Sequence, residues 1–172
     1  MLMQAVVALA RKFELAEPPA PAKARPERRF RGLRIGNLGL LVAHDCGGEI
    51  IEEARVFPLP RTAAWCRGLI NLRGNLIPAF DLHESLGLGR LRAARQWWLV
   101  LGARDDALAF PVDALPVSLL ANETTTVQAT VIPEPLRAHT GSGYRIDGEL
   151  WLEFRYRDFF RALSSVVGQP LS

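Results

Sequence analysis

A mainly β fold is predicted for this 172-residue chain by three observations. Gly36-Asn37, Gly74-Asn75 and Asp147-Gly148 each stand between apolar runs of strand-like composition, and such dipeptides accept the positive φ that tight primed turns demand. Helical periodicity is confined to short stretches. Sheets made of hairpins leave edges that pair with other chains unless they close, so the pattern points to small barrels or a sandwich. With 49% hydrophobic residues the chain can bury a sizeable interior, as one domain or as two small ones sharing a core.

In order along the chain, residues 1–15 carry Val6, Val7, Leu9, Ala10, Phe13 and Leu15 among charges, the pattern of a short amphipathic helix. Pro18, Pro19, Pro21 and Pro26 make residues 16–29 an extended linker. The folded domain is expected over residues 30–168. Its first hairpin runs through 30–35 and 38–43 about Gly36-Asn37, and residues 49–56 form a strand that Pro58 and Pro60 end. Residues 62–67 read as a short turn or helix. Residues 68–82 hold the second Gly-Asn hairpin, with Gly74 and Asn75 at its turn and Asn71 and Arg73 on one outward strand face. Asp81 followed by Glu84 has the spacing of a helix cap, and Gly87 and Gly89 end that helix.

Residues 90–95 are a basic loop; 96–102 and 107–112 form a third hairpin, which 115–120 continues. Residues 122–139 are expected to cross the surface with one short strand. Tyr144 to Arg155 turn at Asp147-Gly148, and Phe159, Phe160, Leu163 and Val167 mark a closing helix. Of the adjacent Trp97 and Trp98, one is expected in the core and the other exposed or facing a partner.

Charge separates the N-terminal segment from the rest. Up to Arg31 there are seven basic residues against three acidic ones, a surplus larger than the whole chain's +3, so the body is close to neutral and carries no basic nucleic-acid footprint. Two cysteines, Cys46 and Cys66, build no disulfide framework. The N-terminus lacks the order of a secretory signal and no apolar run approaches the roughly 20 residues of a membrane span, so a cytoplasmic location is expected.

Catalytic chemistry finds little to work with. His44-x-Cys46 is too closely spaced for a structural zinc pair, so no metal is expected. The serines lack a nucleophile elbow, no phosphate-binding glycine loop is present, and the paired carboxylates Glu52-Glu53 and Asp105-Asp106 read as solvated charge. A thiol-dependent enzyme using Cys66, or a nucleic-acid-binding β-barrel using the basic tail with Trp97 and Trp98, are the rival readings. Arg73 is the residue that stands out, as an anchor for a partner or as one half of an ion pair closing a barrel rim.

The run Gly68 to Leu82, with Asn71-Leu72-Arg73-Gly74, Pro78 and Asp81-Leu82, resembles the signature hairpin of the CheW family of chemotaxis coupling proteins. Glu49-Ile50-Ile51, the Pro58-x-Pro60 segment, Val112-Asp113 and Gly148-Glu149 extend the likeness over residues 30–165, while Gly47-Gly48 and Ala114 depart from it. The resemblance implies two small five-stranded barrels on a shared core, no active site and no cofactor. It implies an adaptor between the regulatory domain of a CheA-type histidine kinase and the cytoplasmic tip of chemoreceptors, with Arg73 the functionally sensitive residue and Asn71, Gly68 and Gly74 shaping its hairpin. The N-terminal extension is reminiscent of coupling proteins of type IV pilus chemosensory systems.

Overall fold

The computed structural model describes residues 27–89 and 96–167. The expected helix over 1–15, the linker up to residue 26, the basic loop at 90–95 and the side chain of Val167 lie outside the described residues. Among these residues, twelve strands divide between two sheets. The first sheet contains β1 (Arg28–Ile35), β2 (Leu38–Ala43), β9 (Val117–Ala121), β10 (Thr124–Thr125), β11 (Thr140–Ile146) and β12 (Glu149–Phe154), ordered β10-β11-β12-β2-β1-β9. The second contains β3 (Glu49–Glu52), β4 (Val56–Phe57), β5 (Cys66–Leu72), β6 (Asn75–Phe80), β7 (Trp97–Leu101) and β8 (Leu108–Val112), ordered β3-β7-β8-β6-β5-β4. Each sheet is thus five full strands plus a two-residue strand at one end, one more than the expected five.

Chain connectivity forces both sheets to curl. Laid flat, six strands place their outer members about 24 Å apart at the usual inter-strand spacing. Yet β9 and β10, at opposite ends of the first sheet, are joined through only Asn122 and Glu123, and β3 and β4, at the ends of the second, through residues 53–55. Three or four chain steps reach about 10–14 Å, so each sheet must roll until its ends approach, giving two barrels.

Period-2 alternation then sorts the apolar residues into three cores. Phe30, Leu41, Ala121, Tyr144 and Trp151 fill the first barrel; Ile70, Ile77, Ala79, Trp98, Val100, Ala107 and Ala109 fill the second. The opposite faces of the same strands, including Leu33, Ile35, Leu40, Val42, Leu99, Leu101, Phe110, Leu152 and Phe154, meet in the larger core between the barrels. β7 and β8 are therefore buried on both faces, which explains their continuous apolar sequence. Trp97 pairs with Val112 and turns half-buried toward the shared core, so the expectation of an exposed or partner-facing tryptophan is corrected.

Among the described residues three α-helices flank the sheets: α1 (Leu82–Ser85), α2 (Glu134–Arg137) and α3 (Tyr156–Val167). Phe160 of α3 stacks against Phe80 and Phe110 of the second barrel, with ring centroids 4.8 and 5.5 Å away, and meets Phe154 of the first at 6.4 Å. The closing helix therefore clamps both barrels.

Several local expectations are corrected. The strand expected over 49–56 splits into β3 and β4, because Glu53 takes a positive φ of 56° that breaks the extended run. Cys66 and Arg67 already belong to β5, and Arg28 and Arg29 to β1 rather than to the linker. The segment expected to continue the third hairpin instead crosses to the first sheet, where β9 pairs antiparallel with β1. Within the expected surface excursion, α2 inserts Leu136, fully buried, into the shared core.

Candidate functional site

The β5–β6 hairpin turns one residue earlier than its Gly-Asn pair suggests. Leu72 lies opposite Asn75, so the turn residues are Arg73 and Gly74, with φ of +52° and +88°. Positive φ at both central positions is the type I′ turn whose twist matches that of the flanking strands. Asn75 is thus the first residue of β6 rather than a turn residue, and Arg73 sits at the tip rather than on a strand face beside Asn71. A non-glycine residue in this region costs roughly 1–2 kcal/mol. The turn is held nonetheless, because the Gly74 N–H donates to Asn71 Oδ1 at 2.9 Å.

The same geometry projects the Arg73 side chain into solvent, 78% exposed, with Nη1 3.0 Å from Glu49 Oε2 at the start of β3. Such a pair holds the guanidinium in place while contributing little stability. Arg73 thus ties the turn to the start of β3 by an ion pair and leaves its guanidinium largely exposed. A groove of about 300 Å³ runs beside the tip, lined by Glu49, Arg73, Gly102 and Arg104 among others.

Gly68 takes φ +121° where a bulge in β5 brings Phe57 across it, and a Cβ there would overlap the Phe57 carbonyl. Only glycine permits that approach. Phe57 in turn faces Leu69, and Leu69 faces Pro78; one step along, Asn71 faces Leu76. Paired residues share a face, so these side chains form one outward surface on the second barrel. Leu76 is 65% exposed and Phe57 44%, and the Arg55 guanidinium lies 5.1 Å over the Phe57 ring. A contiguous apolar surface of this kind marks an interaction site more than scattered exposed leucines do. Sequence reading missed it because residues 76–80 are uniformly apolar; the signal was the alternation of outward Leu76 and Pro78 with inward Ile77 and Ala79.

At the far end of β6, Asp81 caps α1: its Oδ1 accepts the Glu84 N–H at 3.2 Å. The Asp81 N–H donates to the Trp65 carbonyl at 2.7 Å, which ties the cap to the chain before β5. Asp81 is also more than a cap. It is fully buried and pairs through Oδ2 with Arg67 Nη1 at 3.0 Å, where the guanidinium lies 5.7 Å over the Trp98 ring.

The thiols are placed apart from this surface. Cys46 donates to the Gly47 carbonyl, and burial pushes its thiol above the ordinary range, against the partly offsetting charges of Arg31 and Arg157. Cys66 is half-buried at the start of β5, opposite Phe80. Among the described residues no group of three His, Cys, Asp or Glu side chains could hold a metal ion, and no helix is long and apolar enough to cross a membrane.

The CheW-like domain family matches residues 34–160, which span the strands and turns just described. The chain belongs to that family. CheW-like relatives include protein FrzA of Myxococcus xanthus, 33% identical over 88 residues that make up 51% of this chain and 55% of FrzA. Protein PilI of Pseudomonas aeruginosa is 34% identical over 80 residues, 45% of each chain. Chemotaxis protein CheW of Thermotoga maritima is 31% identical over 64 residues, 37% of this chain and 42% of that protein. The matches thus span about half the length of these curated relatives. The scaffolding protein TtCheW from Thermoanaerobacter tengcongensis superposes with a TM-score of 0.67 at 18% identity, covering 85% of this chain and 98% of that one, which shows the shared CheW-like fold.

Proposed function

We propose that this protein is a non-catalytic cytoplasmic adaptor that couples chemoreceptors to a CheA-type histidine kinase, in a chemosensory system of the kind that governs type IV pili. The observation that carries this reading is the exposed Arg73-Gly74 turn, clamped by Asn71 and Glu49 on a CheW-like fold. Likeness to PilI supports the pilus assignment. The CheW-like domain expected over residues 30–168 is the unit that does the coupling. The mechanism is geometric: an adaptor that holds kinase and receptor in one relation lets a receptor change bias the kinase between two states, by as much as its contacts differ between them.

Two surfaces share the work. The Arg73 tip offers a forked donor to a carboxylate or to backbone carbonyls, and the outer face formed by Phe57, Leu69 and Leu76 offers apolar area to the kinase regulatory domain. The test is capture of that domain by the full chain, with wild type compared against Leu76→Asp. Because Leu76 projects into solvent, the substitution should shift stability by no more than about 0.5 kcal/mol while weakening capture at least about tenfold. Failure of the wild-type chain to capture the domain overturns the reading; equal capture by both chains removes the apolar face from it.

A further inference from the structure

Apolar packing between the barrels is non-directional, so the shared core alone does not fix how one barrel sits on the other. Directional polar contacts do, and Asp113, which follows β8 of the second barrel, makes several of them at one point. Its N–H donates to the Arg34 carbonyl of β1 at 3.2 Å, and its Oδ2 accepts the N–H of Gly36 in the β1–β2 turn. Its Oδ1 also lies 2.7 Å from Nε2 of His83 on α1, a close contact off the line of a hydrogen bond. The imidazole is 4% exposed, and its Nδ1 is 3.9 Å from Oδ1 of Asp81, the carboxylate that caps α1 and pairs with Arg67 of β5. The Leu88 side chain closes over the Gly36 turn, 3.4 Å from where a Cβ on that glycine would stand. A polar series thus leads from the first hairpin of one barrel, through Asp113, His83 and Asp81, to β5 of the other, the strand that enters the Arg73 turn.

We infer that Asp113 and His83 act as one latch, which docks the β1–β2 turn against α1 and sets the orientation of the two barrels. One carboxylate accepts from the Gly36 amide and packs against the imidazole, so the ring that confines one of its oxygens positions the other. Loss of His83 therefore frees the carboxylate to turn and weakens its hold on Gly36, a residue that His83 does not itself bond. This goes beyond the adaptor reading and does not depend on which partners the protein binds.

Amide hydrogen exchange on the full chain tests it, with wild type, His83→Gln and Asp113→Ala compared and the Gly74 amide, bonded to Asn71 on the opposite rim, as internal reference. Asp113→Ala should raise Gly36 exchange by about tenfold or more, and His83→Gln by roughly three- to tenfold, with Gly74 unchanged. Gly36 exchange in His83→Gln within twofold of wild type, or equal acceleration of Gly36 and Gly74, overturns the latch. His83→Gln decides the matter alone should Asp113→Ala fail to fold.

Discussion

Arg73→Gly separates the role of the arginine in binding from its role in the fold. Arginine at φ +52° costs roughly 1–2 kcal/mol that glycine does not. Against that gain, glycine loses about 0.5–1 kcal/mol more backbone entropy on folding, and the ion pair to Glu49, exposed at 78% on the arginine side, contributes about 0–1 kcal/mol. These terms leave the variant within about 1 kcal/mol of wild type, or roughly 2–4 °C in melting temperature for a chain of this size. Thermal denaturation reads the stability, and titration of the kinase regulatory domain reads the affinity. The account expects an unchanged or slightly raised melting temperature together with at least about a tenfold loss of affinity. A fall of more than about 6 °C would show that the ion pair holds the rim together, and unaltered affinity at unchanged stability would refute the contact role.

Phe160→Ala should cost about 3–5 kcal/mol in urea denaturation, since that ring meets phenylalanines of both barrels; a loss below about 1 kcal/mol would mean that α3 is not a clamp. Burial raises the Cys46 thiol and the Tyr156 phenol above their ordinary ranges, the latter against a partly offsetting Arg157. The folded chain holds those protons more tightly than the unfolded chain. The stability they contribute is therefore fully present below the ordinary thiol range and declines as pH rises through it and on through the phenol range. Urea midpoints measured from pH 7 upward should fall, and a flat or rising profile contradicts the assignment.

How much of this was legible in the sequence depended on whether the decisive interaction was local. Gly36-Asn37 and Asp147-Gly148 turn where they were expected, because a two-residue turn is determined by the φ its own residues accept. The Gly74-Asn75 pair misled for the same reason: the dipeptide signal is local, whereas the register that makes Arg73 the first turn residue is held by Asn71 and by Gly68 under Phe57. Asp81 was legible as a cap, but its ion pair with Arg67 spans 14 residues and left no local trace. No local pattern tells a strand which sheet it joins, so β9 was assigned to the wrong neighbour. Burial of both faces of β7, which turned Trp97 inward, depends on the first barrel covering its outer face. The Asn-Leu-Arg-Gly hairpin identified the family before any of these contacts could be seen.

The central claim is that one copy of this chain holds kinase and receptor at the same time. The direct measurement is co-elution of the full chain with a CheA-type regulatory domain and a soluble receptor-tip fragment, by size exclusion with mass detection. A complex containing all three is expected, and Arg73→Gly should disrupt it. Two separate binary complexes in which kinase and receptor displace one another from this chain would contradict it.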